Sequence, residues 1–182
     1  MPLDTGKRRT LPESLSFGTA FSDHMFSQDY AHGKGWHNAI INAYHNIQLD
    51  PSAAVLHYSQ EIFEGLKAYR CTDGSINLFR PQQNVKRFNR SASRMVMPEV
   101  DETVHLEALK SLVQIDQSWV PKTPGSSLYI RPTMIASSAK LGLGASENYI
   151  HFIITSPVGN YFQNGFEPIS VYIAHAYRRA VV

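Results

Sequence analysis

The dipeptide Asp73-Gly74 limits this chain more than any other feature. It stands behind Cys71-Thr72, between two β-type runs, Ile62 to Arg70 and Ser75 to Arg80. Asp and Gly both tolerate positive φ, which a tight turn between antiparallel strands demands. One antiparallel hairpin is therefore expected, and other strands must pair with it to make a sheet. Phe17 to Ser27 alternates large and small side chains at period two and reads as a strand. The glycines of Ala31 to Gly35 supply a turn, and His37 to Tyr44 reads as the returning strand. Ser127 to Ser137, Tyr149 to Ser156 and Ile169 to Ala176 are further β-type runs.

Helical spacing appears between these strands. Asp50-Pro51 marks a short helix start, because proline suits a first turn whose N–H has no partner. Val85, Phe88, Ala92 and Met95 recur as one apolar stripe, with Lys86, Arg87, Arg90 and Arg94 around it, and Pro98 stops the run. A second helix is expected from about Thr103 to Trp119, burying Leu106, Leu109, Leu112, Val113 and Trp119. Pro121 and Pro124-Gly125 close it. The class is α+β: mostly antiparallel strands with a helix pair on one face. Residues 1–16 are polar and read as a loose arm, and 17–159 as a small α+β domain. Residues 160–168, with Asn164-Gly165 and Pro168, read as a linker. Residues 169–182 read as the first strand of a larger domain that the chain does not complete.

Composition narrows the function. The 182 residues are 43% hydrophobic and 18% charged, enough apolar surface for a real core. A net charge of +2 argues for neither nucleic acid nor an anionic membrane. No apolar run approaches the roughly 20 residues a membrane span needs. The N-terminal arginines have no apolar stretch behind them, so no secretory signal is expected. The single cysteine, Cys71, excludes an internal disulfide and points to a reducing, cytoplasmic setting. Eight histidines form no HExxH pair, and no metal is expected. There is no G-x-S-x-G elbow. The loop Leu141-Gly142-Leu143-Gly144 carries Glu147 where a dinucleotide fingerprint needs its third glycine.

Two groups of residues remain, each with two readings. Arg87, Arg90 and Arg94 share a helix face, with Arg80 just ahead of the helix. They are either a solvated face or a grip on one phosphate, since a guanidinium holds phosphate oxygens through two parallel hydrogen bonds. Tyr58, Phe63 and Glu64 sit on one hairpin, while Tyr129 and Arg131, two apart, share a face of another strand. They are either ordinary sheet aromatics or an apolar pocket with a few polar groups.

Several strings carry a resemblance. Phe17-Gly18-Thr19-Ala20-Phe21-Ser22-Asp23-His24-Met25, the run from Leu56 to Tyr69 that contains Phe63-Glu64-Gly65-Leu66-Lys67-Ala68-Tyr69, Leu78-Phe79-Arg80-Pro81, Ser127-Leu128-Tyr129-Ile130-Arg131-Pro132 and Ser156 to Tyr161 resemble branched-chain aminotransferases, pyridoxal-phosphate enzymes of fold type IV. The resemblance implies transfer of an amino group between leucine, isoleucine or valine and 2-oxoglutarate, in amino-acid biosynthesis. Pyridoxal 5'-phosphate would be the electron sink. It implies that Arg87 binds the cofactor phosphate and that Phe17, Phe63, Tyr129, Arg131 and Tyr161 wall the substrate pocket. It further implies that Tyr58, Leu141 and Leu143 reach a neighbouring subunit of a homodimer or larger oligomer. The family's Schiff-base lysine is expected beyond Val182. None of the seven lysines present matches it, so the chain alone is expected to be inactive. A D-amino-acid aminotransferase, an aminodeoxychorismate lyase and a non-catalytic small-domain binding module are the alternatives.

Overall fold

The computed structural model describes residues 9–160 and 167–176. Seven antiparallel strands form its sheet: β1 (His24–Ala31), β2 (Gly35–Ala43), β3 (Glu61–Phe63), β4 (Leu66–Arg70), β5 (Ile76–Leu78), β6 (Ser127–Ala136) and β7 (Asn148–Val158). Their spatial order is β2-β1-β7-β6-β4-β5, with β3 also on β6. The helices are α1 (Ala54–Tyr58), α2 (Pro81–Arg94) and α3 (Glu102–Ile115), followed by a 3-10 turn at Gln117–Trp119. The α+β class holds.

The Asp73-Gly74 hairpin forms between β4 and β5. Gly74 has φ 86°, and the Asp73 carboxylate accepts from the Ser75 amide and hydroxyl at 2.9 and 2.7 Å. Asp101 caps α3 by accepting from the amides of Thr103 and Val104, at 2.8 and 3.0 Å. Pro81 stands in the first turn of α2 behind Arg80, whose φ is 49°.

The helix-covered face of the sheet carries the core. Leu66, Ala68, Leu128, Ile130 and Ile153 meet Val85 of α2 and Leu109, Leu112 and Val113 of α3. Beside this, Phe88, Ala92, Met97 and Val100 pack on Ile62, Met134 and Tyr149. The expected stripe on α2 is correct at Val85, Phe88 and Ala92 and wrong at Met95. That residue caps the helix end and is exposed.

Three other expectations change. Phe17 to Ser22 is not a strand: Gly18 turns the chain at φ 70°, and β1 starts only at His24. The described part of the arm is not loose. The buried carboxylate of Asp23 accepts from the Arg9 amide at 2.9 Å and from the Trp119 indole at 3.1 Å, so the arm is tied where a buried charge needs donors. Ile169 to Ala176 forms no strand and lies exposed. A β-type run without a neighbouring edge cannot satisfy its backbone, and no described strand lies beside this one. Tyr161 and most of the expected linker lie outside the described residues.

Candidate active site

The expected strand from Ile62 to Arg70 is split in two by a proline on its neighbour. Partners keep one offset throughout, from Glu61↔Ile135 to Phe63↔Thr133 and again from Leu66↔Ile130 to Ala68↔Leu128. Between them the Glu64 amide donates to the Pro132 carbonyl at 2.9 Å. Pro132 has no N–H to return that bond, so the ladder opens at Glu64-Gly65 without losing register. The side chains keep alternating: Ile62, Glu64, Leu66 and Ala68 are buried, while Phe63, Lys67 and Tyr69 are exposed.

Four expected site residues meet on the open side of this seam. The Arg131 guanidinium lies 4.2 Å from the Phe63 ring centre and 5.3 Å from that of Tyr129. Its Nε and Nη2 donate to the Tyr129 hydroxyl at 3.1 and 2.9 Å. The Tyr129 ring meets Phe17 edge-on at 5.1 Å. The missing side chain of Gly65 makes room for this. A Cβ there would collide with the Tyr129 hydroxyl and stand 3.1 Å from the ring carbon that bears it. The result is a small box of aromatic rings with a guanidinium held in its wall. Its apolar surfaces suit an aliphatic side chain, and its N–H groups suit a carboxylate.

Arg87 belongs to the other side of the seam. Glu64 is 5% exposed and Arg87 57%, and the two form a two-pronged ion pair, with Arg87 Nη2 2.7 Å from Glu64 Oε2 and Arg87 Nε on Oε1. Asn84 Nδ2 and the Gly65 amide donate to the same carboxylate at 3.0 and 3.2 Å. Burial pushes the Glu64 carboxyl up, but the bonds from Arg87, Asn84 and Gly65 outweigh it and leave it below its ordinary 4.5. Phe79, Arg80, Gln83, Asn84 and Arg90 surround Arg87 in an open cavity of about 290 Å³. The aromatic box and the arginine clamp are thus joined through residues 63–65, the end of β3 and the two-residue break before β4, rather than across an open groove.

Tyr58, Leu141 and Leu143 lie elsewhere, past the C-terminal end of β6. The Tyr58 hydroxyl donates to the Leu141 carbonyl, and Leu141 and Leu143 are exposed. Among the described residues, no three His, Cys, Asp or Glu side chains come together to hold a metal ion. No helix among them is long and apolar enough to cross a membrane.

Two features were not anticipated from the sequence although their signals were present: the ion pair of Glu64, a residue named there only as a polar neighbour of the aromatics, and a buried histidine pair. Glu64 alternates in phase with Ile62 and Leu66, and a carboxylate on a buried face requires a cation or several donors. His105 and His151 lie on the buried stripes of α3 and β7. Their rings stack at 4.9 Å and touch Phe88 at 5.4 Å each.

The architecture matches enzymes of fold type IV. A crystal structure of branched-chain aminotransferase from Thermoproteus uzoniensis with norvaline superposes with a TM-score of 0.59 and 20% identity, over 76% of this chain and 43% of that one. The branched-chain amino acid aminotransferase from Escherichia coli gives a TM-score of 0.52 and 19% identity, over 75% of this chain and 41% of that one. At this identity the likeness is one of fold. The family follows from sequence. Branched-chain-amino-acid transaminase 1 of Bacillus subtilis (strain 168) is 51% identical over 176 residues, 96% of this chain and 49% of that protein. Along the stretch they share, the chain belongs to the branched-chain aminotransferase family, and it spans about half the length of the curated relatives it matches. No family model matches.

Proposed function

We propose that this chain carries the substrate-box wall and the phosphate-binding arginine of a pyridoxal-phosphate transaminase acting on leucine, isoleucine or valine with 2-oxoglutarate. The observation that carries the reading is the box over Gly65, where Phe63 and Tyr129 flank the Arg131 guanidinium and Phe17 packs edge-on against Tyr129. A branched side chain gains about 0.8 kcal/mol for each CH₂ that such rings bury. The second substrate brings a carboxylate, for which Arg131 keeps Nη1 while Nε and Nη2 hold the tyrosine. One site can thereby accept an aliphatic and an acidic side chain in turn. Tyr161 is assigned to the same pocket by resemblance alone.

The residues present suit the cofactor's phosphate end. Arg87 is clasped along one edge and keeps outward N–H groups in a cavity lined by two further arginines. The bound cofactor would supply the electron sink that lets the amino group move. Arg87 would hold its phosphate in place, and the phenyl and phenol rings of the box would pack against the substrate's side chain. No lysine of this chain is assigned the Schiff base. Borohydride trapping of the 182-residue chain with pyridoxal phosphate, followed by peptide mapping, is expected to find no stoichiometric adduct at any of its lysines. The reading also includes an oligomer, supported by the exposed leucines of the loop bonded to Tyr58, and a cytoplasmic setting, for which the single cysteine is the support.

The decisive test is substrate profiling of the complete product of the reading frame that encodes this chain. Amino transfer from leucine, isoleucine and valine to 2-oxoglutarate is the expected result. Turnover confined to D-alanine or aminodeoxychorismate would overturn the reading in favour of another enzyme of this fold.

A further inference from the structure

We infer that Glu64 is a positioning residue: its buried carboxylate fixes which edge of the Arg87 guanidinium is offered to a phosphate ester. This rests on the reading of Arg87 given above. An arginine more than half exposed has a long, flexible stem and loses rotamer freedom when it binds. Here that freedom is already restricted. Both oxygens of Glu64 meet the Nε/Nη2 edge, and the plane of the fork is set before any ligand arrives.

The carboxylate is itself well anchored. It is 5% exposed and also receives Asn84 from α2 and the amide of Gly65, its neighbour in the break between β3 and β4. The Glu64 amide bonds Pro132 on β6, so the clamp spans sheet and helix. Two effects then oppose each other. The negative charge lowers the pull of Arg87 on an anion, whereas the fixed fork lowers the ordering cost. Four donors share that charge, and Arg80 and Arg90 line the same cavity to restore positive potential. Orientation therefore outweighs repulsion, and the clamp favours phosphate over the unphosphorylated ring.

The test compares binding of pyridoxal phosphate and of pyridoxal, by absorbance and fluorescence titration, in the complete product of the reading frame. Glu64→Gln keeps the shape but turns one acceptor into a donor facing the guanidinium. It is expected to weaken pyridoxal phosphate about tenfold, the low end of what loss of an outer partner costs at metal sites, and to leave pyridoxal unchanged. Asn84→Ala, which leaves the ion pair in place, is expected to shift the ratio the same way by less. It also serves if Glu64→Gln does not fold. Equal losses for both ligands would mean a purely structural role, and tighter pyridoxal phosphate would mean that Glu64 competes with the phosphate. Either overturns the inference. Arg87→Ala separates the two levels. If it leaves the ratio unchanged, the reading of Arg87 fails. If it lowers the ratio while both other variants keep it, only the role of Glu64 fails.

Discussion

At Gly65 the absence of a side chain is what lets Tyr129 lie over the strand and hold Arg131. Gly65→Ala is expected to drive the phenol aside and free the guanidinium. The ring tip can swing outward, so the stability loss should be small, about 1 kcal/mol at the low end of overpacking. The pocket should suffer more, because a misplaced wall residue about 1 Å out of position can cost on the order of 100-fold. Denaturant titration and KM for leucine in the complete protein check both. Little of this was readable from spacing. Tyr129 and Arg131 were visibly on one face, but their choice between core and pocket depends on what lies across the ladder, and that is Gly65, far away in sequence. Phe17 joined the set only through a turn that its alternating pattern disguised as a strand.

Strands and helices whose signal is local were legible. The Asp73-Gly74 hairpin, the Val85–Ala92 stripe and the α3 stripe all form as their patterns require. Asp101 shows how local that information is, since one carboxylate satisfies two free amides at the start of α3. Asp101→Ala should cost about 1 kcal/mol, read as a lower urea midpoint with an unchanged slope. Partnership was not legible. Ile169 to Ala176 has strand composition and no strand, whereas the split at Glu64-Gly65 is dictated by Pro132, a residue on another strand. β-structure is decided by the neighbour, and a sequence read along one line does not display neighbours.

Across the whole molecule, the stacked His105–His151 pair fastens α3 to the sheet beneath Phe88. His105 Nδ1 and His151 Nε2 are buried without hydrogen-bond partners, and His151 Nδ1 accepts from the Gln28 side-chain amide at 3.0 Å, so a proton added to His151 would displace that donor and find no acceptor there. Burial lowers His105 to about 4, with Glu64 opposing slightly, and burial and then His105 hold His151 well below its ordinary 6.5. Both folded values lie under the unfolded ones. Stability is therefore full above pH 6.5 and falls as acid protonates the unfolded chain, until about pH 4 for His105. Each histidine should contribute a slope of about 1.4 kcal/mol per pH unit in that window. Glu64, also lowered, adds loss in the same direction below its ordinary 4.5. Urea denaturation between pH 7 and 5 should show the decline, and His105→Phe should remove about one proton's worth of slope. An unchanged slope in that variant would place the acid sensitivity elsewhere.

The offset kept across Pro132 has a further consequence for how this chain can vary. Phe63 and Glu64 are consecutive, yet one serves the aromatic box and the other the arginine clamp. Sliding residues 61–68 by one position against β6 would send each to the other's side, exchanging hydrocarbon for carboxylate in both places at once. The two half-sites are phase-locked, free to change their chemistry but not their alignment.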